Sequence, residues 1–379
     1  CTKMLLPGVM LVLCTLGLAR AVTKNVPQSV GSVEDVDVGG QAMPEYFSAG
    51  THETTHTQGS LQVPGSVAPS CGDKGCPLAL FLTCPKKAGG AAPNSYPLVV
   101  FYSGFQMSAA TYRAYARDLA SWGYVVLQYD VPGALLKKIV PDQEEIKFWP
   151  HLIGWVKDLS RQPGSVVYEA VDLRRVAVMG HSRGAKLAAL VAAGGTPDGS
   201  PAPAAAVCVD PVDMTSQTRK AGYPSAVDAL GAAPRRLALI GAGVTGWCNP
   251  EDEGWRKFWP ALLPGSWRLV LPNAGHMQFT DAKGATAWAW DKLCGAGKTG
   301  APGNSHKPII QWTSAAAVAW LESAFRPEQA SAPLAKYQAF IKEQAAQGFV
   351  QFEIKGKSEA CLENSDACPT PALTAAAVQ

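Results

Sequence analysis

The segment Val176-Ala-Val-Met-Gly180-His181-Ser182-Arg183-Gly184, running straight into Ala185-Lys186-Leu187-Ala188-Ala189-Leu190, leaves few folds open. An apolar run of strand type stops at a G-x-S-x-G turn, and a helical pattern starts at once. Side chains at Gly180 and Gly184 would clash in so tight a turn, which holds Ser182 out in a strained conformation. Its hydroxyl then sits at a helix N-terminus, where the dipole and free N–H groups favour developing negative charge. The segment reads as a seated nucleophile. The plain alternative is a Gly/Ser loop joining two packed elements.

The surrounding sequence fits such a seat. Short apolar runs at 78–83, 98–102, 124–129, 176–179, 205–209, 237–240 and 267–271 predict strands. Helical patterns at 109–122, 145–159, 183–193 and 314–325 alternate with them; Tyr112, Tyr115, Leu119 and Trp122 recur at helical spacing in the first. Continuously apolar strands taking turns with helices predict an α/β fold, a mostly parallel central sheet with helices on both faces. That domain is expected over 44–326. A polar, acidic stretch at 23–43 reads as a linker, and 327–379 as a C-terminal extension: an Ala/Gln/Lys helix, a strand or strap at 349–355, then a disordered end.

Composition narrows the partners. A net charge of +3 with 17% charged residues, evenly spread over 379 residues, gives no surface for tracking phosphates, so nucleic acid is not an expected partner. No segment recurs at a fixed period. Residues 1–22 have a targeting layout, with Lys3, then an apolar run broken by Pro7 and Gly8, then small residues Ala19 and Ala21. The breaks count against a membrane span. Among ten cysteines, Cys71, Cys76, Cys248, Cys361 and Cys368 lie in polar Gly/Pro surroundings that suit exposed disulfides in an oxidising compartment, with partners unassigned.

A serine nucleophile needs a base and an acid downstream. His276 follows a predicted strand directly, whereas His306 lies in a Gly/Pro/Ser/Lys loop, so His276 is the expected base. Asp210 ends the run 204–209 at the C-terminal edge of a strand, where open α/β sheets collect their site residues. It is the expected acid, with Asp213 and the run Glu251-Asp252-Glu253 as alternatives. The oxyanion needs two backbone donors, expected from Arg183 and from Phe105, with Gly104 allowing close approach. Phe105, Met107, Phe148, Trp149 and Met277 are candidates to hold an apolar substrate beside Gly104, each with plain core packing as the alternative. His52-Glu53-Thr54-Thr55-His56 fits the H-E-x-x-H zinc pattern, but that pattern works only on a helix, and the β-branched neighbours favour an extended segment. No metal or cofactor is expected.

Gly180-His-Ser-Arg-Gly with Ala185-Lys186 resembles the G-H-S-R-G-G-K segment of chlorophyllases. Val209-Asp210-Pro211-Val212 is similar to their I/V-D-P-V, Gly275-His276-Met277 to their G-H-M, and Ser103-Gly104-Phe105 to their H-G-F, in the same order from about 46 to 325. The resemblance implies the α/β-hydrolase fold, a triad of Ser182, Asp210 and His276, and hydrolysis of chlorophyll esters to chlorophyllide and phytol. It also implies a chloroplast location with peripheral membrane contact and a small-molecule pigment substrate, with the secretory pathway as the alternative location; the Ala- and Gly-heavy composition fits a green-algal source. The resemblance departs at Ser103, which replaces a His, and at Ala185, which replaces a Gly. Alternative functions are a lipase or platelet-activating-factor-acetylhydrolase-like carboxylesterase, and a pigment- or lipid-binding protein without turnover.

Overall fold

The computed structural model describes residues 42–86, 92–131, 139–194, 202–282, 284–298 and 306–356. The expected leader, nearly all of the linker, and Cys361 and Cys368 lie outside them.

Nine strands form one sheet: β1 Thr54–Val63, β2 Cys76–Pro85, β3 Tyr96–Tyr102, β4 Val125–Asp130, β5 Val171–His181, β6 Ala205–Val209, β7 Ala238–Ala242, β8 Trp267–Leu271 and β9 Gln351–Ile354. Their order across the sheet is β1-β2-β4-β3-β5-β6-β7-β8-β9. From β4 to β8 every pairing is parallel; β1 and β2 at one end and β9 at the other join antiparallel. Strands β6 and β7 are buried at every residue, as expected for strands covered on both faces. The helices Arg113–Ser121 and His306–Phe325 pack on one another on one side, and Trp149–Arg161, Arg183–Ala192 and Ala226–Ala232 cover the other. Among these described residues, no helix is long and apolar enough to cross a membrane.

Two expectations change in detail, and a third holds. The helix foreseen at 145–159 is divided into Asp142–Glu145, a 3-10 turn at Ile146–Phe148 and Trp149–Arg161, with Pro150 in the first turn of the last. The fold does not stop at 326. The helix Pro327–Ala346 buries Tyr337, Phe340 and Ile341, Phe340 lies edge-on to Phe47 at 5.3 Å, and β9 pairs with β8. An Ala/Gln/Lys surface hid the narrow apolar stripe that docks this helix. The His52–His56 segment runs into the edge strand β1, extended as the β-branched residues foretold, so the zinc pattern has no helix to work on.

Disulfides join Cys71 to Cys76 and Cys248 to Cys294. Cys84 and Cys208 are buried thiols, and burial pushes each up to about 12.

Candidate active site

Four loops at the C-terminal edge of the sheet build the site. Strand β5 ends at His181, and Ser182 turns the chain with φ 57° and ψ −124°, a left-handed conformation that a side chain rarely adopts. The turn is held by the Ser182 N–H donating to the carbonyl of Val209 at 2.9 Å. A Cβ on Gly184 would lie 2.1 Å from the Tyr102 carbonyl oxygen, so only glycine lets the helix start that close to β3. Asp210 follows β6 in a second left-handed turn, φ 39°, and His276 opens a 3-10 turn after β8.

These loops meet in a hydrogen-bonded line. The Ser182 hydroxyl is 2.8 Å from His276 Nε2, and His276 Nδ1 is 2.6 Å from Asp210 Oδ2. A carboxylate can only accept, so Nδ1 carries the proton and Nε2 is left to take one from the serine. All three side chains are buried, Ser182 the least so at 8% exposure. Asp210 remains a fixed acceptor because its other oxygen takes the Ala242 N–H at 2.9 Å and Oδ2 also takes Asn249 Nδ2–H at 3.1 Å. Such an arrangement can activate a hydroxyl against a carbonyl carbon.

Three of the four alternative acids are engaged elsewhere. Asp213 accepts from Ser225 Oγ, the Ala226 N–H and Lys257 Nζ; Glu253 pairs with Lys257 and Arg219; Glu251 lies 3.4 Å from Arg256. His306 is held between the Thr280 carbonyl and Asp291. Among the expected apolar contacts, Phe105 stands 46% exposed, Met107 is half-buried and Met277 is buried beside His276. Phe148 and Trp149 are core residues instead: Phe148 is fully buried, edge-on to Tyr129 at 6.3 Å. They sit where the chain enters the helix over β5, and that entry is wedged into the core.

Three participants escaped sequence reasoning. Asn249 follows Cys248, whose bond to Cys294 ties this loop to residues that pack on Gly275, next to His276. Asp142 and Glu145 bind the side chain of Arg183, each at 2.7 Å, and Asp142 also takes Lys186 Nζ at 2.8 Å. Burial opposes the charge on Arg183, yet Glu145 and Asp142 together hold its pKa above the usual arginine value. The one available signal was the acidic run 142–145 preceding two cations on the elbow helix, with forty residues between them hiding the match. Replacing Asn249 by Ala removes one donor to a charged acceptor, and kcat for a soluble ester is expected to fall about tenfold with KM little changed. Steady-state kinetics check this; an unchanged kcat would mean that Ala242 alone fixes the carboxylate.

A serine backed by imidazole and carboxylate, raised on a strand-to-helix turn above a mostly parallel sheet, defines a hydrolase of the α/β-hydrolase fold. Residues 43–347 match the model of the chlorophyllase family, and the chain belongs to that family. It is 27% identical over 257 residues to Chlorophyllase-1 of Arabidopsis thaliana, covering 63% of this chain and 72% of that protein. It is 26% identical over 213 residues to Chlorophyllase type 0 of Chenopodium album, covering 53% of this chain and 59% of that one. A solved structure of a ferulic acid esterase from Streptomyces cinnamoneus has the same fold, with a TM-score of 0.50 at 21% identity over 73% of this chain and 91% of that one. The chain is a carboxylic ester hydrolase.

Proposed function

We propose that this chain hydrolyses the phytyl ester of chlorophyll to chlorophyllide and phytol through an acyl-enzyme on Ser182. The observation that carries the reading is the Ser182–His276–Asp210 line in a chain of the chlorophyllase family. His276 takes the serine proton as Oγ attacks the ester carbonyl, and Asp210 keeps the imidazole in the tautomer that accepts it. The oxyanion is received by the N–H groups of Arg183, first in its helix and so without an intrahelical acceptor, and of Phe105. His276 returns the proton to the departing phytol, then activates water, and the acid is released. This chemistry needs no metal or organic cofactor; the magnesium of the pigment belongs to the substrate. Exposed Phe105, with Met107 and Gly104 beside it, is placed to meet the apolar ester, as is Met277 next to the base. A plastid location and contact with a pigment-bearing membrane belong to the same proposal.

The test is chlorophyllide release from chlorophyll a in mild detergent. Wild type is expected to release it, and Ser182→Ala to lose about 10⁴-fold or more. Wild type that leaves the pigment intact but turns over short p-nitrophenyl esters would retain the esterase and discard the pigment, favouring a lipase or platelet-activating-factor-acetylhydrolase-like substrate. Wild type that turns over neither ester and resists fluorophosphonate labelling would leave a binding protein.

A further inference from the structure

Behind the Ser182–His276–Asp210 line runs a second buried line of polar groups that the acyl-transfer steps leave unused. The Gly104 N–H donates to the Tyr112 hydroxyl at 3.1 Å, and that hydroxyl is 2.9 Å from His181 Nδ1. On the other side of the ring, His181 Nε2 is 3.0 Å from the backbone carbonyl of His276. With a neutral His181 ring, only one proton arrangement satisfies all three contacts. The carbonyl can only accept, so Nε2 carries the proton; Nδ1 then accepts from the Tyr112 O–H, whose oxygen accepts from Gly104. Tyr112 and His181 are 0% and 1% exposed, and the His181 and His276 rings lie 4.6 Å apart.

The three segments so joined come from different parts of the sheet. Gly104 precedes Phe105 in the loop after β3, His181 ends β5, and His276 follows β8. In the sheet β3 and β8 are separated by β5, β6 and β7, a span of about 19 Å at the usual strand spacing. No backbone ladder can set one loop against the other, whereas this line does so directly. Gly104 is fitted to it as well: a Cβ there would lie 2.8 Å from the tyrosine oxygen.

We infer that Tyr112 and His181 are positioning residues that brace the Phe105 oxyanion loop and the His276 loop against the turn of Ser182. The inference rests on Ser182 and His276 acting as nucleophile and base, not on the identity of the ester. Burial, and then the neighbouring His276, pull His181 well below the usual histidine range, so its ring stays neutral and retains the Nε2 proton while the base works. Burial likewise pushes the Tyr112 hydroxyl up, keeping its proton on the line.

The test uses the full chain with p-nitrophenyl butyrate, folding being followed by near-UV circular dichroism. Tyr112→Phe removes the hydroxyl that serves both loops, and is expected to lower kcat about tenfold with KM within about twofold. A trifluoromethyl ketone, which forms a tetrahedral adduct with the serine, should lose affinity by a similar factor. His181→Phe fills the space without hydrogen bonds; His181→Gln offers an N–H and an oxygen again, and is expected to retain several-fold more kcat. Folded Phe variants that keep wild-type kcat, or folded Gln and Phe variants equally impaired at position 181, would overturn the brace. If His181→Phe does not fold, Tyr112→Phe decides. Turnover surviving in Ser182→Ala overturns nucleophile and brace together, whereas a dead Ser182→Ala beside fully active Phe variants overturns the brace alone.

Discussion

Asp210→Asn is expected to lower kcat for a soluble ester about 10⁴-fold while leaving the fold intact. The amide is nearly isosteric, and the Ala242 N–H can still reach its oxygen. What changes is the group facing His276 Nδ1. With a donor there in place of Oδ2, the ring is driven to carry its proton on Nε2, where it can no longer take one from Ser182. The Asn249 amide would also meet a donor where it now meets an acceptor. The parallel substitution Asp213→Asn touches only the contacts to Ser225, Ala226 and Lys257, so its effect belongs in the melting curve, not in kcat. Steady-state kinetics on both variants decide the matter; a loss below about tenfold at Asp210 would mean that the imidazole is oriented by its backbone turn alone.

The second large effect is on stability. Asp142→Ala is expected to cost about 3–5 kcal/mol and to lower the melting temperature by on the order of 10 °C. Lys186 is 2% exposed, and apart from Asp142 its ammonium has the Met214 sulfur, at 3.6 Å. Removing Asp142 strands that charge in the interior and takes one of two carboxylates from Arg183, whose backbone N–H is the proposed oxyanion donor. Activity should therefore fall with stability. Lys186→Met should cost less, because Asp142 keeps Arg183 as partner. Thermal melts of the two variants test the asymmetry, and equal shifts would mean that Lys186 finds another partner.

The strands and the triad were legible because each depends on local pattern. The five residues of β6 coincide with the apolar run 205–209; Ser182 and Asp210 directly follow β5 and β6, and His276 lies in the short loop after β8. What escaped depends on distance in the chain. The match of Asp142 to Arg183 and Lys186, the donation by Asn249, and the line from Gly104 through Tyr112 and His181 are contacts between loops, set by the order of strands in the sheet and not by spacing along the sequence. Phe148 and Trp149 were misplaced for a related reason: an aromatic pair next to a turn looks the same whether the turn borders a cleft or a core. The helix Pro327–Ala346 was placed outside the domain because small and polar residues dominate it, although Tyr337 and Ile341 are fully buried.

The order of strands also carries a consequence of timing. Strands β5, β6, β7 and β8 lie side by side in the order in which a ribosome makes them, and the loops that follow them bring Ser182, Asp210, Asn249 and His276 in turn. Each new strand in this half joins the one just made, which keeps loop closure short and pairing fast. The base is the last of the four to emerge, so a nascent chain displays its serine long before it has a partner for it. Until residues 351–354 arrive as β9, the edge of β8 beneath that base stays open to pairing with other chains; the finished edge is four residues long and carries Glu353 against Arg268, a poor template for a further strand.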